Sequence, residues 1–326
     1  MPAAETTVAN IRNTLVATLP HRQKQLHDEW HKDHVFLFFM REMGGFNTGE
    51  VDPSIQIPLN VVEDPTVSTR GISAPVPLQD VQHLRAAEFL GRVQSGAATL
   101  NEFELSGNKG QMKILDLFDA REHNLMLTMK DVFNKQMLQA TGSGDDFNGL
   151  PLIVSDTPTT GTVGGINRAT AGNEYWRNQS ITAVGSFAAN GLANLRSLRN
   201  LVNTGSINHR TSFNITTSDV YNAYELTQSS NVRYQGPLSA KMGDAGLASM
   251  EWNGQPVAWD DAVLSGHWYM LNFENLGFVA APEFQFTYSD LQASEATFSI
   301  SQKIALFGQL TTNNPRYLGV MSGITA

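Results

Sequence analysis

The 326-residue chain contains no cysteine. This absence excludes disulfide bridges, thiolate zinc sites, iron–sulfur clusters and cysteine nucleophiles together. Charged residues are also scarce, at 16%, whereas hydrophobic residues make up 41% of the chain, so most of it can build a packed core and is not disordered. No apolar run approaches the roughly 20 residues that a membrane-spanning helix needs, so we expect no membrane partner.

Basic residues are fewer than acidic ones. The chain has 22 Lys and Arg against 31 Asp and Glu, a formal net charge of -9. That balance argues against a protein whose main task is to neutralise nucleic-acid phosphates. The first five residues include Glu5 but no basic residue and no continuous apolar region follows, which is unlike a secretory signal, so we expect synthesis and retention in the cytoplasm.

Residues 44–90 have the character of an extended arm. Five prolines are scattered through residues 44–89, and Ile55, Ile57, Leu59 and Val61 alternate with polar residues or proline, as in a strand with one apolar face. Pro58 confines that strand to a sheet edge. A turn at residues 63–66 and a returning strand at 67–70 would complete a hairpin. Such a ribbon is marginal alone, so the sequence predicts docking on another chain, with an ordinary surface loop as the alternative.

The rest of the chain mixes helices with short strands. Apolar residues at helical spacing predict a long helix over residues 110–138, which ends at the glycines of 141–144. Further helices are predicted at 187–202 and near 218–227. Strands are predicted at 213–216, 255–259, 268–271, 284–288 and 297–309. Together these patterns indicate an α+β fold.

No motif in the sequence argues for catalysis. His27 and His31 stand four residues apart in a helical pattern, but a zinc peptidase needs glutamate directly after the first histidine, and Asp28 is there. The segment 161–166 (GTVGGI) lacks the ending of a phosphate-binding loop, so its glycines are interpreted as turn residues. We therefore predict a protein that is not an enzyme, with no catalytic residue, no cofactor and no metal.

An ordered series of segments resembles the major capsid proteins of tailed bacteriophages. The resemblance covers about residues 44–200 and, more loosely, the last strands. Its segments are 54–59 (SIQIPL), 63–67 (EDPTV), 84–89 (LRAAEF), the long helix, 149–156 (GLPLIVSD), 161–168 (GTVGGINR) and 175–179 (YWRNQ).

The resemblance implies the Hong Kong 97 (HK97) fold and a division of the chain. Residues 1–43 would be an N-terminal arm and residues 44–90 the extended E-loop that lies over the adjacent subunit. Residues 91–186 would form the peripheral domain, with the long helix as its spine, and residues 187–282 the axial domain. Residues 283–326 would return as strands to the peripheral domain.

The implied function is self-assembly of hexamers and pentamers into an icosahedral virion shell, built in the host bacterial cytoplasm around double-stranded DNA that is not bound sequence-specifically. Scaffolding, portal and decoration proteins are further expected partners. Some relatives join subunits covalently through an E-loop lysine, but no lysine occurs between Lys32 and Lys109. Two alternatives remain open: an encapsulin-like shell of a cellular compartment, and a zinc-dependent hydrolase.

The residues that carry this function would be contacts between subunits. Ile57 and Leu59 are predicted to dock the E-loop on a neighbour. Charged groups near its tip, Glu63, Asp64 and Arg70, are candidates for ion pairs between subunits.

A second predicted contact group follows the glycine-rich segment. It combines residue types enriched at interface hot spots, namely Arg168, Tyr175, Trp176 and Arg177. Burial in the core of the same chain is an equal alternative for Trp176.

Overall fold

The computed structural model describes residues 34–60, 66–67, 69–72, 84–101, 111–203, 210–228, 250–290, 292–293 and 299–326. Within these residues the α-helices are α1 (Val35–Glu42), α2 (Gln111–Gln139), α3 (Leu150–Ile153), α4 (Leu192–Val202) and α5 (Ser218–Gln228). The strands of the first half are β1 (Phe46–Thr48), β2 (Ser54–Asn60), β3 (Leu84–Leu90), β4 (Arg92–Asn101), β5 (Thr162–Val163), β6 (Ile166–Asn167), β7 (Gln179–Ile181) and β8 (Gly185–Ser186). The second half adds β9 (Phe213–Thr216), β10 (Met250–Trp252), β11 (Gln255–Trp259), β12 (Trp268–Leu271), β13 (Leu276–Ala280), β14 (Thr287–Tyr288), β15 (Gln292–Ala293), β16 (Ser299–Thr312), β17 (Gly319–Met321) and β18 (Ile324–Thr325).

Helix α1 belongs to the core of the protein. Its apolar residues Phe36, Leu37, Phe39 and Met40 are at most 3% exposed. The helix ends at Glu42, and Gly44 shortly after it has a positive φ of 77°, a backbone state that glycine adopts without strain. The segment predicted as an N-terminal arm therefore ends in a buried helix, and residues 1–33 of that prediction, with His27 and His31, lie outside the described residues.

Helix α2 confirms the long helix predicted from the apolar spacing. Its 29 residues correspond to about 43 Å at 1.5 Å per residue. Gly96 of β4 lets the helix approach closely, because a Cβ at Gly96 would lie 2.6 Å from a methyl carbon of Leu125. Toward its end the helix inserts Phe133, Met137 and Leu138 into the main core.

Strand β16 organises the first sheet. One edge of this 14-residue strand pairs with β4 along ten residues, from Ser299 opposite Asn101 to Gly308 opposite Arg92. Its other edge pairs in turn with β13, β14 and β15, and β1 joins β13 in parallel. Strands that are distant in the sequence thus pair with the same strand, β16.

The second sheet has the strand order β10-β11-β9-β12-β17-β7 and lies between two hydrophobic cores. In β12, Tyr269 and Leu271 face the main core, while Trp268 and Met270 pack in the second core. The second core is closed by α4 and α5 through residues such as Leu195 and Tyr224. Burial on both faces explains why β12 reads as a continuous apolar run.

The structure corrects two of the predicted strands. Residues 67, 69 and 70 lie outside any strand, and the returning strand of the hairpin is β3, which pairs with β2 from Leu90 opposite Ser54 to Leu84 opposite Asn60. Residues Pro282–Phe284 form a 3₁₀ turn that proline starts, and only Thr287–Tyr288 of the predicted strand 284–288 is extended. Phe286 between them adopts a positive φ of 51°, which breaks the alternation.

The strands of residues 283–326 divide among three sheets. β16 joins the first sheet, where it pairs with β4. β17, however, pairs with β12 and β7, and β18 pairs with β8. The predicted domain boundaries stay a prediction. Among the described residues no helix is long and apolar enough to cross a bilayer.

Candidate subunit interface

One face of the β2–β3 hairpin is packed against its own chain. Along β2, Ile55 and Leu59 are 7% and 6% exposed and Ile57 is half-buried, whereas the residues between them face outward. On β3 the matching inward residues are Ala87 and Phe89. Leu59 therefore has little surface left for a neighbouring subunit, and the docking role predicted for Ile57 stays a prediction.

The turn between β5 and β6 holds this hairpin in place. Gly164 and Gly165 have φ values of +56° and +73°, the two positive angles that a two-residue hairpin turn requires. The Gly164 carbonyl accepts a hydrogen bond of 3.0 Å from the backbone N–H of Glu88. The interpretation of these glycines as turn residues is thus confirmed, and they also form a contact point for β3.

Arg168 is buried in the chain, at 1% exposure. Its guanidinium donates to the carbonyl oxygens of Leu152 and Ile153, and its Nε donates to that of Trp176 at 3.1 Å. No carboxylate is among these partners, and burial lowers the pKa of Arg168 to about 10. Arg168 thus connects α3, β6 and the 3₁₀ turn Glu174–Trp176.

Trp176 and Arg177 complete this connection. The indole Nε1 of Trp176, 1% exposed, donates to the Val163 carbonyl at 2.9 Å. Arg177 donates to the Arg168 carbonyl through Nε and Nη2, at 2.9 and 2.8 Å. Burial leaves both residues no surface for a neighbouring subunit. The contact role predicted for Arg168 is therefore wrong, and for Trp176 the alternative, burial in its own chain, is confirmed.

The remaining predicted contact residues are distributed differently. Tyr175 is half-buried, and its hydroxyl is a buried group without a hydrogen-bond partner among the described residues. Arg70 donates through Nη2 to the Thr66 carbonyl at 3.1 Å, within the arm itself. Glu63 and Asp64 lie outside the described residues, so the ion pairs predicted for them stay a prediction.

Two polar contacts that the sequence did not indicate also hold this region. Arg85 of β3 donates to the Asn173 side chain at 3.0 Å, across 88 residues of chain. His267 lies 3.0 Å from Asp156 through Nε2, and its Nδ1 lies 2.8 Å from the Ser265 carbonyl. No spacing rule in a sequence signals such pairs, because each partner is a single polar residue in its own segment.

The described residues contain no group of three or more His, Asp or Glu that could hold a metal ion. The region instead presents a half-exposed ribbon, the β2–β3 hairpin, which has one buried and one exposed face. Among the described residues β2 and β3 pair only with each other, so the ribbon is a two-stranded sheet of its own.

No protein-family model and no curated protein sequence matches the chain. Solved structures do match it over most of its length. The capsid of cyanophage A-1(L) aligns with a TM-score of 0.64 at 13% identity, covering 88% of this chain and 93% of the other. The capsid of a native GTA particle aligns with a TM-score of 0.59 at 9% identity, covering 88% and 90%.

A shell protein from a cell also matches. The SrpI encapsulin of Synechococcus elongatus PCC 7942 aligns with a TM-score of 0.53 at 12% identity, covering 88% of this chain and 87% of the other. At identities this low the likeness establishes the fold. The chain has the Hong Kong 97-like fold of tailed-phage capsid proteins, as the resemblance in its sequence predicted.

Replacing Gly164 by alanine tests the packing of the turn on β3. A Cβ there would lie 2.9 Å from the Phe89 ring and 3.1 Å from the Ala87 Cβ, whereas a Cβ at Gly165 would meet nothing within 4 Å. Alanine at either position has to adopt a left-handed backbone, which lowers the free energy of unfolding by about 1–2 kcal/mol. At position 164 the overpacked Cβ lowers it by about another 1–3 kcal/mol. Urea unfolding of unassembled subunits should therefore show a larger loss for Gly164→Ala. Equal losses would contradict the contact.

Replacing Arg168 by lysine tests its internal role. Lysine keeps the charge but not the planar fork, so we expect the free energy of unfolding to fall by about 2–4 kcal/mol. Arg196→Lys on the exposed face of α4 is the matched control and should change it by less than about 0.5 kcal/mol. Urea unfolding of unassembled subunits measures both, and an unchanged stability of Arg168→Lys would refute the structural role.

Proposed function

We propose that the protein is the major capsid protein of a tailed bacteriophage, which assembles into an icosahedral shell around a double-stranded DNA genome. The observation that carries this proposal is the alignment of 88% of the chain with 93% of a cyanophage capsid subunit at a TM-score of 0.64. The solved structures it matches are shell components, and so the expected partners are first of all other copies of this chain. A role in the virion head, with assembly in the host cytoplasm, follows from the same proposal.

The net charge of the chain fits a shell that encloses DNA without holding it tightly. A basic inner face would bind phosphates and oppose release of the genome. The chain instead carries a net charge of -9. Its proposed contact with DNA is therefore weak and independent of sequence, and scaffolding, portal and decoration proteins are proposed as further partners.

The half-exposed ribbon fits a role between subunits. Its outward face presents Leu84 and Leu90 at 69% and 54% exposure, beside polar residues of β2. Among the described residues this two-stranded ribbon has no further strand beside it. Exposed apolar side chains on such a ribbon are a usual feature of surfaces that another chain covers. The proposed neighbour is a second subunit.

An encapsulin-like compartment shell is the second candidate, because the SrpI encapsulin aligns with 88% of the chain. Both candidates form closed shells and differ in their contents. The particles of a phage would contain nuclease-protected double-stranded DNA when they are made in a phage-producing host. Those of a compartment would contain a packaged enzyme.

Overproduction of the chain tests the shared part of the proposal. We expect fast-sedimenting closed shells, tubes or capsomer rings in negative-stain electron microscopy, either for the chain alone or after co-expression with the genes beside it. The reason is that the many modest contacts of such a shell add up over all subunits. A compact monomer under all of these conditions would contradict both candidates.

A further inference from the structure

The sequence contains three Asn-Gly dipeptides, at residues 148–149, 190–191 and 253–254. Asparagine loses its side-chain amide most easily before glycine, because glycine has no side chain that shields its backbone nitrogen. The reaction is intramolecular, so its rate depends on how closely that nitrogen can approach the side-chain carbonyl carbon of the asparagine. The fold therefore decides which of the three sites reacts.

The first site lies in the packed segment between α2 and α3. The backbone N–H of Asn148 donates to Oε1 of Gln309 at 2.7 Å. Gly149 is buried, and a Cβ there would clash with the carbonyl oxygen of Ala140. The Gly149 carbonyl also accepts a hydrogen bond of 3.2 Å from the backbone N–H of Leu152. This peptide group cannot rotate without breaking these contacts.

The second site lies in a helical turn. Asn190 and Gly191 end the π-helical turn Phe187–Gly191, whose backbone is held by its own hydrogen bonds. The side chain of Asn190 donates through Nδ2 to the Val184 carbonyl at 3.1 Å. Gly191 is buried, and a Cβ there would lie 2.5 Å from the Phe187 ring. Both reacting groups of this site are therefore fixed in place.

The third site is the two-residue turn between β10 and β11, where Trp252 pairs with Gln255. Asn253 and Gly254 have φ values of +55° and +78°, as in the type I′ turn that favours Asn-Gly. Both are exposed, and a Cβ at Gly254 would meet nothing within 4 Å. Neither the Asn253 side chain nor the Gly254 N–H has a hydrogen-bond partner among the residues that the structure describes.

We propose that Asn253 is a site of spontaneous deamidation in the folded protein, and that the fold protects Asn148 and Asn190. The backbone nitrogen of Gly254 attacks Cγ of Asn253. A new C–N bond closes a cyclic imide, the bond from Cγ to Nδ2 breaks, and ammonia leaves with the proton of the Gly254 nitrogen. Water then opens the ring at either carbonyl and gives aspartate or isoaspartate. The inference does not depend on the proposed shell function.

The modification changes the tip of the β10–β11 hairpin. Each product adds one negative charge to a chain whose formal net charge is -9. Isoaspartate also adds a carbon atom to the backbone of a turn that two positive φ angles define. Strand β10 has three residues and only β11 beside it among the described residues, so we expect isoaspartate to weaken this pairing.

Incubation of unassembled subunits in heavy-oxygen water tests the assignment. Oxygen from the water enters each aspartate or isoaspartate that forms, so the reaction during incubation is distinguished from any that occurs during later digestion. Mass spectrometry of the peptides then gives the rate at each of the three sites. Folded protein in buffer is compared with protein unfolded in guanidinium chloride at the same pH and temperature.

In the folded protein we expect Asn253 to react at least about tenfold faster than Asn148 or Asn190, the factor that a local opening free energy of about 1.4 kcal/mol produces. In the unfolded chain the three rates should be similar, since each asparagine precedes glycine. The rate at Asn253 should rise with pH, because the deprotonated nitrogen of Gly254 is the nucleophile. Equal rates in the folded protein, an intact Asn253, or the same preference in the unfolded chain would overturn the inference.

Two variants provide an independent readout. Asn253→Gly removes the reacting amide and keeps a dipeptide that suits a type I′ turn, whereas Asn190→Ala removes a protected amide. After incubation, ion-exchange chromatography should resolve a main acidic species in the wild type and in Asn190→Ala but not in Asn253→Gly. Circular dichroism verifies that both variants fold. A main acidic species that persists in Asn253→Gly would contradict the assignment.

Discussion

The structure depends on strand pairing by the last 28 residues of the described chain, 299–326. β16 is the central strand of the first sheet, and β17 lies inside the second sheet between β12 and β7. Neither sheet is complete without this segment, whose partners lie as far back as β4 and β7. Folding of both sheets therefore depends on contacts made by residues 299–326. Pairings between segments so distant in the sequence form slowly.

The hairpin is stable for a related reason, since it does not stand alone. Its inward residues share the main core with α1 and the end of α2, and the Gly164 turn and the Arg85–Asn173 bond fix β3 from the side. Arg168 holds that side in turn by bonding three carbonyl oxygens. The chain itself thus holds the hairpin in one arrangement, so in the proposed shell little conformational freedom of the hairpin would be lost on association.

The sequence predicted those parts of the fold that have a period. The long helix, strands β9, β11 and β12 and the glycine turn were all found because apolar spacing or turn chemistry specifies them locally. The returning strand was misplaced at residues 67–70, since β3 (LRAAEFL) has weak alternation and its partner is set by the fold. Arg168 looks like an interface residue in sequence, and for Trp176 the sequence left interface and core open. Only the structure shows that segments of the same chain enclose both.

A reconstruction of the particles formed by the overproduced chain, by single-particle electron cryomicroscopy, tests the account most directly. The account predicts a closed icosahedral shell in which the β2–β3 hairpin of each subunit contacts a neighbouring subunit. Particles in which the hairpin faces solvent on every subunit, or a preparation that contains only monomers, would contradict it.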